Sequence, residues 1–178
     1  MNVTVDFSSI LGRAGGDTKL ERIDPQLVLV LGLCTLGLYP LYKFYRVAMQ
    51  YQALAGRASQ VQVFLGSYLG AHLLGVLTLR WYVGIFFLLG SVLAGLFALN
   101  EVLALRRTIL EQHGLDLPQL HESDAQRACW VAASLLSWAG VGVIPAAIQC
   151  WWFFRDHAAL AETMAAQRRQ QPPHPRAA

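Results

Sequence analysis

The chain reads as an all-α integral membrane protein with four transmembrane helices and amphipathic helical extensions at the interface. Three observations lead there. Of its 178 residues 55% are hydrophobic and only 14% charged, where soluble domains carry about a quarter charged residues; the mean hydropathy is +0.40. From Ala58 to Asn100 the one charged side chain is Arg80, with His72 neutral. The apolar runs are near the length of about 20 residues that a helix needs to cross a bilayer.

Taken in order, residues 1–24 read as a flexible segment: Val3 to Phe7 alternates briefly before Gly12, Gly15 and Gly16. It lacks the basic, apolar and small-residue succession of a cleavable signal. Asp24-Pro25 reads as an N-cap followed by proline at the first helical position. A four-helix membrane domain then occupies 25–160, with spans at about 26–42, 61–79, 81–105 and 129–154. The first run is slightly short, and Pro40 near its end kinks or breaks the helix. It either crosses with help from its flanks or dips in and turns back at Gly37–Pro40; the cost of irregular backbone in lipid favours crossing. Lys43, Arg46, Gln50 and Arg57 recur at helical steps, giving a basic amphipathic helix suited to the headgroup layer or a water-solvated extension.

Val61 to Leu79 carries no formal charge. Arg80 and Trp81 make a tight turn, and helix resumes through Asn100, Arg106 and Arg107 to a stop at Gly114. Ser123 and Gln126 are spaced like a capping box ahead of the run Cys129 to Phe154. Residues 161–178 read as a basic, proline-containing tail. Trp81, Trp151 and Trp152 are expected at one interface, and Tyr42, Tyr45 and Trp130 at the other. The basic residues of the two sides tie in number, so orientation is undecided.

Helices in lipid associate through small residues and a few hydrogen bonds. Gly66, Gly70 and Gly75 in the second span, with Gly90 and Gly95 in the third, form small-xxx-small pairs and predict a tight antiparallel hairpin.

Gly37-Leu38-Tyr39-Pro40 and Gly142-Val143-Ile144-Pro145 each lead into an aromatic and basic helix, ending at Leu54 and Leu160. With four spans the two copies would lie in opposite directions, as in the inverted repeats of some transporters. The stretch from Thr35 to Arg46 resembles a family of small bacterial multipass membrane proteins known as a domain of unknown function, whose members carry a Gly-hydrophobic-Tyr-Pro-hydrophobic-Tyr segment. Lys43 stands where an aromatic residue is usual, and the second copy lacks both tyrosines. The resemblance implies a bacterial inner-membrane location and no known activity.

His72 and Gln149 are the polar residues deepest in the spans and form a candidate intramembrane pair, structural or functional. Lys43, Arg46, Arg106 and Arg107 are expected to meet lipid headgroups. His113, Asp116, His121, Glu122 and Asp124 are metal-ligand types without a metal-ligand spacing, and Cys34, Cys129 and Cys150 read as apolar packing residues. No cofactor motif, nucleophile elbow or metal motif occurs, and the scattered basic residues do not form a nucleic-acid face. The expected function is non-catalytic: an accessory, assembly or scaffold subunit whose partners are the bilayer and a membrane protein or a second copy. A protomer of a small oligomeric transporter or channel is the alternative.

Overall fold

The computed structural model describes residues 20–35, 37–81, 83–137 and 142–170. They form six α-helices and no strand: α1 (Pro25–Cys34), α2 (Leu38–Ala55), α3 (Val61–Leu77), α4 (Val83–His113), α5 (Ser123–Ser137) and α6 (Val143–Gln170), with a 3-10 turn at Leu79–Trp81 between α3 and α4. The helices pair as three antiparallel hairpins: α1 with α2, α3 with α4, and α5 with α6.

The first apolar run is therefore not one helix. Asp24 caps α1 by accepting from the Gln26 N–H, with Pro25 in the first turn. The helix ends after Cys34, and α2 begins behind Gly37 at φ 87°. That conformation is open to glycine and strained for other residues. The chain then folds back, because a Cβ on Gly32 would lie 2.7 Å from Pro40. In a continuous helix those residues would stand about 12 Å apart. The cost of irregular backbone that favoured crossing is offset locally. The Gly37 N–H donates to the Gly32 carbonyl, the Leu38 N–H to Thr35, and the Tyr39 N–H to the Thr35 hydroxyl, which itself donates to Leu31. Thr35 thus satisfies the groups that a helix break would leave bare.

The run 129–154 is likewise two helices, because α5 ends at Ser137 and α6 starts at Val143; residues 138–141, including Gly140, lie outside the described residues. Two of the four expected spans are replaced by helical hairpins. Among the described residues one helix, Val83–His113, is long and apolar enough to cross a membrane, and only 28% of its most apolar stretch is buried. A soluble core helix of that composition would be covered.

The α3–α4 hairpin matches the expected turn at Arg80 and Trp81, and Gly114 ends α4 at φ 59°. The glycines that hold it differ from the expected set. A Cβ on Gly84 would strike the Gly75 carbonyl and the Leu79 backbone, one on Gly75 would lie 2.6 Å from Leu88, and one on Gly95 would strike Trp130. Gly66, Gly70 and Gly90 would meet nothing within 4 Å. Of the five predicted glycines, Gly75 therefore packs within the hairpin and Gly95 against Trp130 of α5, while Gly84, Leu88, Ser91 and Gly95 share one face of α4 at three- and four-residue steps.

The core lies toward the ends of α2, α4 and α6. It is built from Val47, Tyr51, Leu99, Val102, Leu105, Ile109, Phe153, Phe154, Leu160 and Met164, with Val28 from α1 and Val61 from α3. Exposed large hydrophobics gather at the other end, among them Leu73, Leu77, Trp81, Phe86, Leu93, Leu135 and Ile144. Residues 20–24, expected to be flexible, are tied down: Ile23 is buried and Leu20 packs on the core. Residues 1–19 and 171–178 lie outside the described residues, and 161–170 continue α6 where a tail was expected.

The Gly-Pro copies occupy equivalent places. Gly37 and Gly142 each immediately precede a helix whose third residue is proline, Pro40 in α2 and Pro145 in α6. Phe44 packs on Phe153 and Tyr51 on His157, with ring centroids 4.9 and 5.6 Å apart. Both numbers rise together, so α2 and α6 run in the same direction and the repeat is not inverted.

Candidate functional site

Where the aromatic run of α6 ends, Arg-Asp-His follows, and those residues organise the polar end of the fold. Asp156 is almost wholly buried and accepts from four donors. Arg106 Nη1 on α4 lies 2.7 Å away, with side-chain exposures of 7% for the arginine and 2% for the aspartate. Gln126 Nε2 on α5 lies at 2.8 Å, His121 Nδ1 at 2.8 Å, and the His121 N–H at 3.1 Å. A carboxylate only accepts, so Nδ1 carries the His121 ring proton. Arg106 Nη2 also donates to the His121 carbonyl at 3.3 Å, and the His121 ring stacks on Trp152 at 4.7 Å. One carboxylate thereby ties α4, α5, α6 and the loop before α5 together. A buried ion pair of this kind needs its remaining lone pairs filled to offset desolvation, and here the neighbouring donors fill them.

His157, the next residue, is fully buried and faces the other way. Its Nε2 lies 2.8 Å from the Glu21 carbonyl and its Nδ1 3.1 Å from the Tyr51 hydroxyl. A carbonyl accepts only, so Nε2 carries the proton and Nδ1 accepts from Tyr51. Burial pushes the histidine below its ordinary 6.5, against the opposing effect of the Glu21 carbonyl. Burial likewise raises the Tyr51 phenol above its usual value, so both groups stay neutral. The Glu21 carboxylate receives Lys43 Nζ at 2.6 Å, with Arg46 Nη2 at 3.9 Å, and the Glu21 N–H donates to Gln50. The hydrogen bond to Glu21 raises the Lys43 pKa above 10.5.

Several expected sites are relocated. His72 is exposed and stacks on Tyr68 at 5.9 Å, whereas Gln149 is buried with an unpartnered Oε1. No hydrogen bond joins the two, since α3 packs on α4 and α2 while α6 packs on α5 and α1. Arg106 points into the protein rather than at lipid phosphate. Arg107 is exposed and pairs with Glu111. Lys43 and Arg46 hold the segment before α1. Gln126 starts no reciprocal cap: its Nε2 donates to Asp156 and its buried Oε1 accepts from no backbone N–H. Trp81 sits in the turn at the apolar end while Trp152 lies in the polar cluster, so these two tryptophans do not share one interface.

Asp156 and His157 were missed. The signal was an Asp-His pair ending an apolar helix in a chain that also buries an arginine in a long helix, and such charges call for partners. Among the described residues no three His, Cys, Asp or Glu side chains cluster as a metal ion would require. The acids and histidines of the cluster are committed to structural bonds, which leaves no free nucleophile beside a base. The described surface also carries an apolar groove between α2 and α3, lined by Leu38, Leu41, Tyr42, Tyr45, Leu65 and Gly66 among others. No protein-family model, curated protein or solved structure matches the chain.

Proposed function

We propose that this chain is a non-catalytic multipass membrane protein that works by contact, as an accessory, assembly or scaffold subunit of a bacterial membrane complex. The observation that carries this reading is the division of the molecule. Its buried ionisable groups, Arg106, Asp156, His157 and Tyr51, are spent on holding helices together. Many of its large apolar side chains stand exposed on α3 and the first half of α4, among them Leu73, Leu77, Phe86 and Leu93. Single exposed apolar residues are ordinary, but a contiguous apolar exterior marks a lipid- or partner-facing surface. The inner membrane is proposed on the likeness of residues 35–46 to the small bacterial family described above.

A transporter or channel protomer finds less support, because its distinguishing feature was an inverted repeat, and α2 and α6 run in parallel. Purification from native membranes in mild detergent, followed by mass spectrometry of co-purifying proteins, tests the proposal. A stoichiometric membrane partner is expected. A homo-oligomer that conducts ions or solutes in liposomes would overturn the proposal in favour of the transporter reading.

A further inference from the structure

The directions of the six helices follow from their contacts. Gln112 on α4 donates to the Ala55 carbonyl at the end of α2, Ser59 ahead of α3 reaches Glu101, and Phe64 stacks on Phe97. Arg127 near the start of α5 meets Asn100, whereas Trp130 further along reaches the Val92 carbonyl. Hence α1, α3 and α5 run away from the polar cluster and α2, α4 and α6 return to it. α1, α3 and α5 therefore end, and α2, α4 and α6 begin, toward the apolar end.

The hairpins differ in depth. At 1.5 Å per residue, α3 rises about 24 Å from Val61 to Leu77 and the turn at Leu79–Trp81 carries the tip further, most of the way through a hydrocarbon core about 30 Å thick. Trp81, 73% exposed, then stands where an interfacial tryptophan belongs. Leu38, at the tip of the first hairpin, shares a groove with Leu69, which lies about 12 Å along α3 from Val61. From the level of Asn100 and Arg127, α5 descends about 15 Å to Ser137 while α4 extends about 25 Å to Val83. The first hairpin stops short, the described part of α5 ends at Ser137, well above the level of Val83, and the Thr35 hydroxyl and the Gly37 N–H close the backbone at the first tip.

Charge follows the same axis. Arg22, Lys43, Arg46, Arg57, Arg106, Arg107, Arg127, Arg155, Arg168 and Arg169 belong to segments on the polar-cluster side. Arg80, in the turn after α3, is the one Lys, Arg, Asp or Glu among the described residues at the apolar end. The four-span arrangement, with Lys19 counted beside Arg22, tied the cations of the two sides and gave no orientation. A single polar end removes the tie.

On the membrane reading above, we infer that the chain enters the bilayer from one face only. The α3–α4 hairpin crosses and returns, the α1–α2 and α5–α6 hairpins are re-entrant, and the basic end faces the cytoplasm, where anionic headgroups complement it.

The test is cysteine accessibility in the full chain with Cys34, Cys129 and Cys150 replaced by alanine. Arg22→Cys, Arg57→Cys, Asp116→Cys, Glu162→Cys and Trp81→Cys, all at exposed positions, are probed one at a time with a membrane-impermeant maleimide. Inside-out vesicles are compared with spheroplasts. The first four label only in inside-out vesicles and Trp81→Cys only in spheroplasts if the inference holds. Labelling of positions 22 and 162 from the face opposite to 57 and 116 restores four crossings and overturns it. Labelling of all four only in spheroplasts overturns the orientation. Release of the chain by alkaline carbonate would instead defeat the membrane reading itself, a result separate from any pattern of labelling.

Discussion

Asp156 shows how one side chain sets the cost of failure at the polar end. Replacing it with asparagine leaves the Arg106 guanidinium buried without its anion. Asp156→Asn is expected to destabilise the fold by about 3–5 kcal/mol, the usual penalty for stripping a buried pair of one partner. Thermal unfolding in detergent measures this, and the double change Arg106→Met with Asp156→Leu should recover much of the loss. His157 gives a pH dependence with a definite sign. It is neutral in the fold, depressed by burial below 6.5, and gains a proton on unfolding in acid. Its contribution is therefore present above about pH 6.5 and is lost as pH falls from there toward its folded value. The melting temperature of the wild type should fall over that range more than that of His157→Gln, which cannot titrate. Equal slopes would remove His157 from the account.

Among the elements, the α3–α4 hairpin separates glycines that pack from glycines that merely occur. Gly84→Leu drives a side chain into the Gly75 carbonyl and the Leu79 backbone, so a loss of about 1–3 kcal/mol or more is expected. Gly70→Leu meets open space and should stay within about 0.5 kcal/mol. Comparing the two melting temperatures in one detergent checks both. The small-xxx-small pattern could be read from sequence, but each helix offers several such faces and the pattern does not say which one meets a neighbour. Trp130 shows the same limit: it fills the space above Gly95 from a helix that sequence reading merged with α6.

Across the whole molecule, the apolar exterior is expected to govern where the chain resides. Leu93 lies midway along the apolar half of α4 with 55% of its surface exposed. Leu93→Arg puts a charge far from either headgroup layer, at an insertion cost of about 2.5–3.5 kcal/mol. The fraction of chain resisting carbonate extraction should drop, whereas an arginine at the exposed position Gln62, at the start of α3, should leave it unchanged. An equal effect at both positions would mean that lipid does not surround α4.

Composition, run length and helix-end residues were enough to determine that the described chain is helical, where α1 begins, where α4 begins and ends, and that residues 61–99 form a hairpin with its turn at Arg80 and Trp81. These are local properties: a shortage of charge, an Asp-Pro start and a terminal glycine act on their own neighbours. The reversals after α1 and α5, the parallel course of the two Gly-Pro copies, and the joining of Arg106, His121, Gln126 and Asp156 were decided only by the tertiary structure. Each depends on atoms far apart in the chain. A proline in an apolar run is compatible with a kink or a reversal until Gly32 is seen against Pro40, and a charge near a helix end is compatible with water or burial until its partner arrives from another helix.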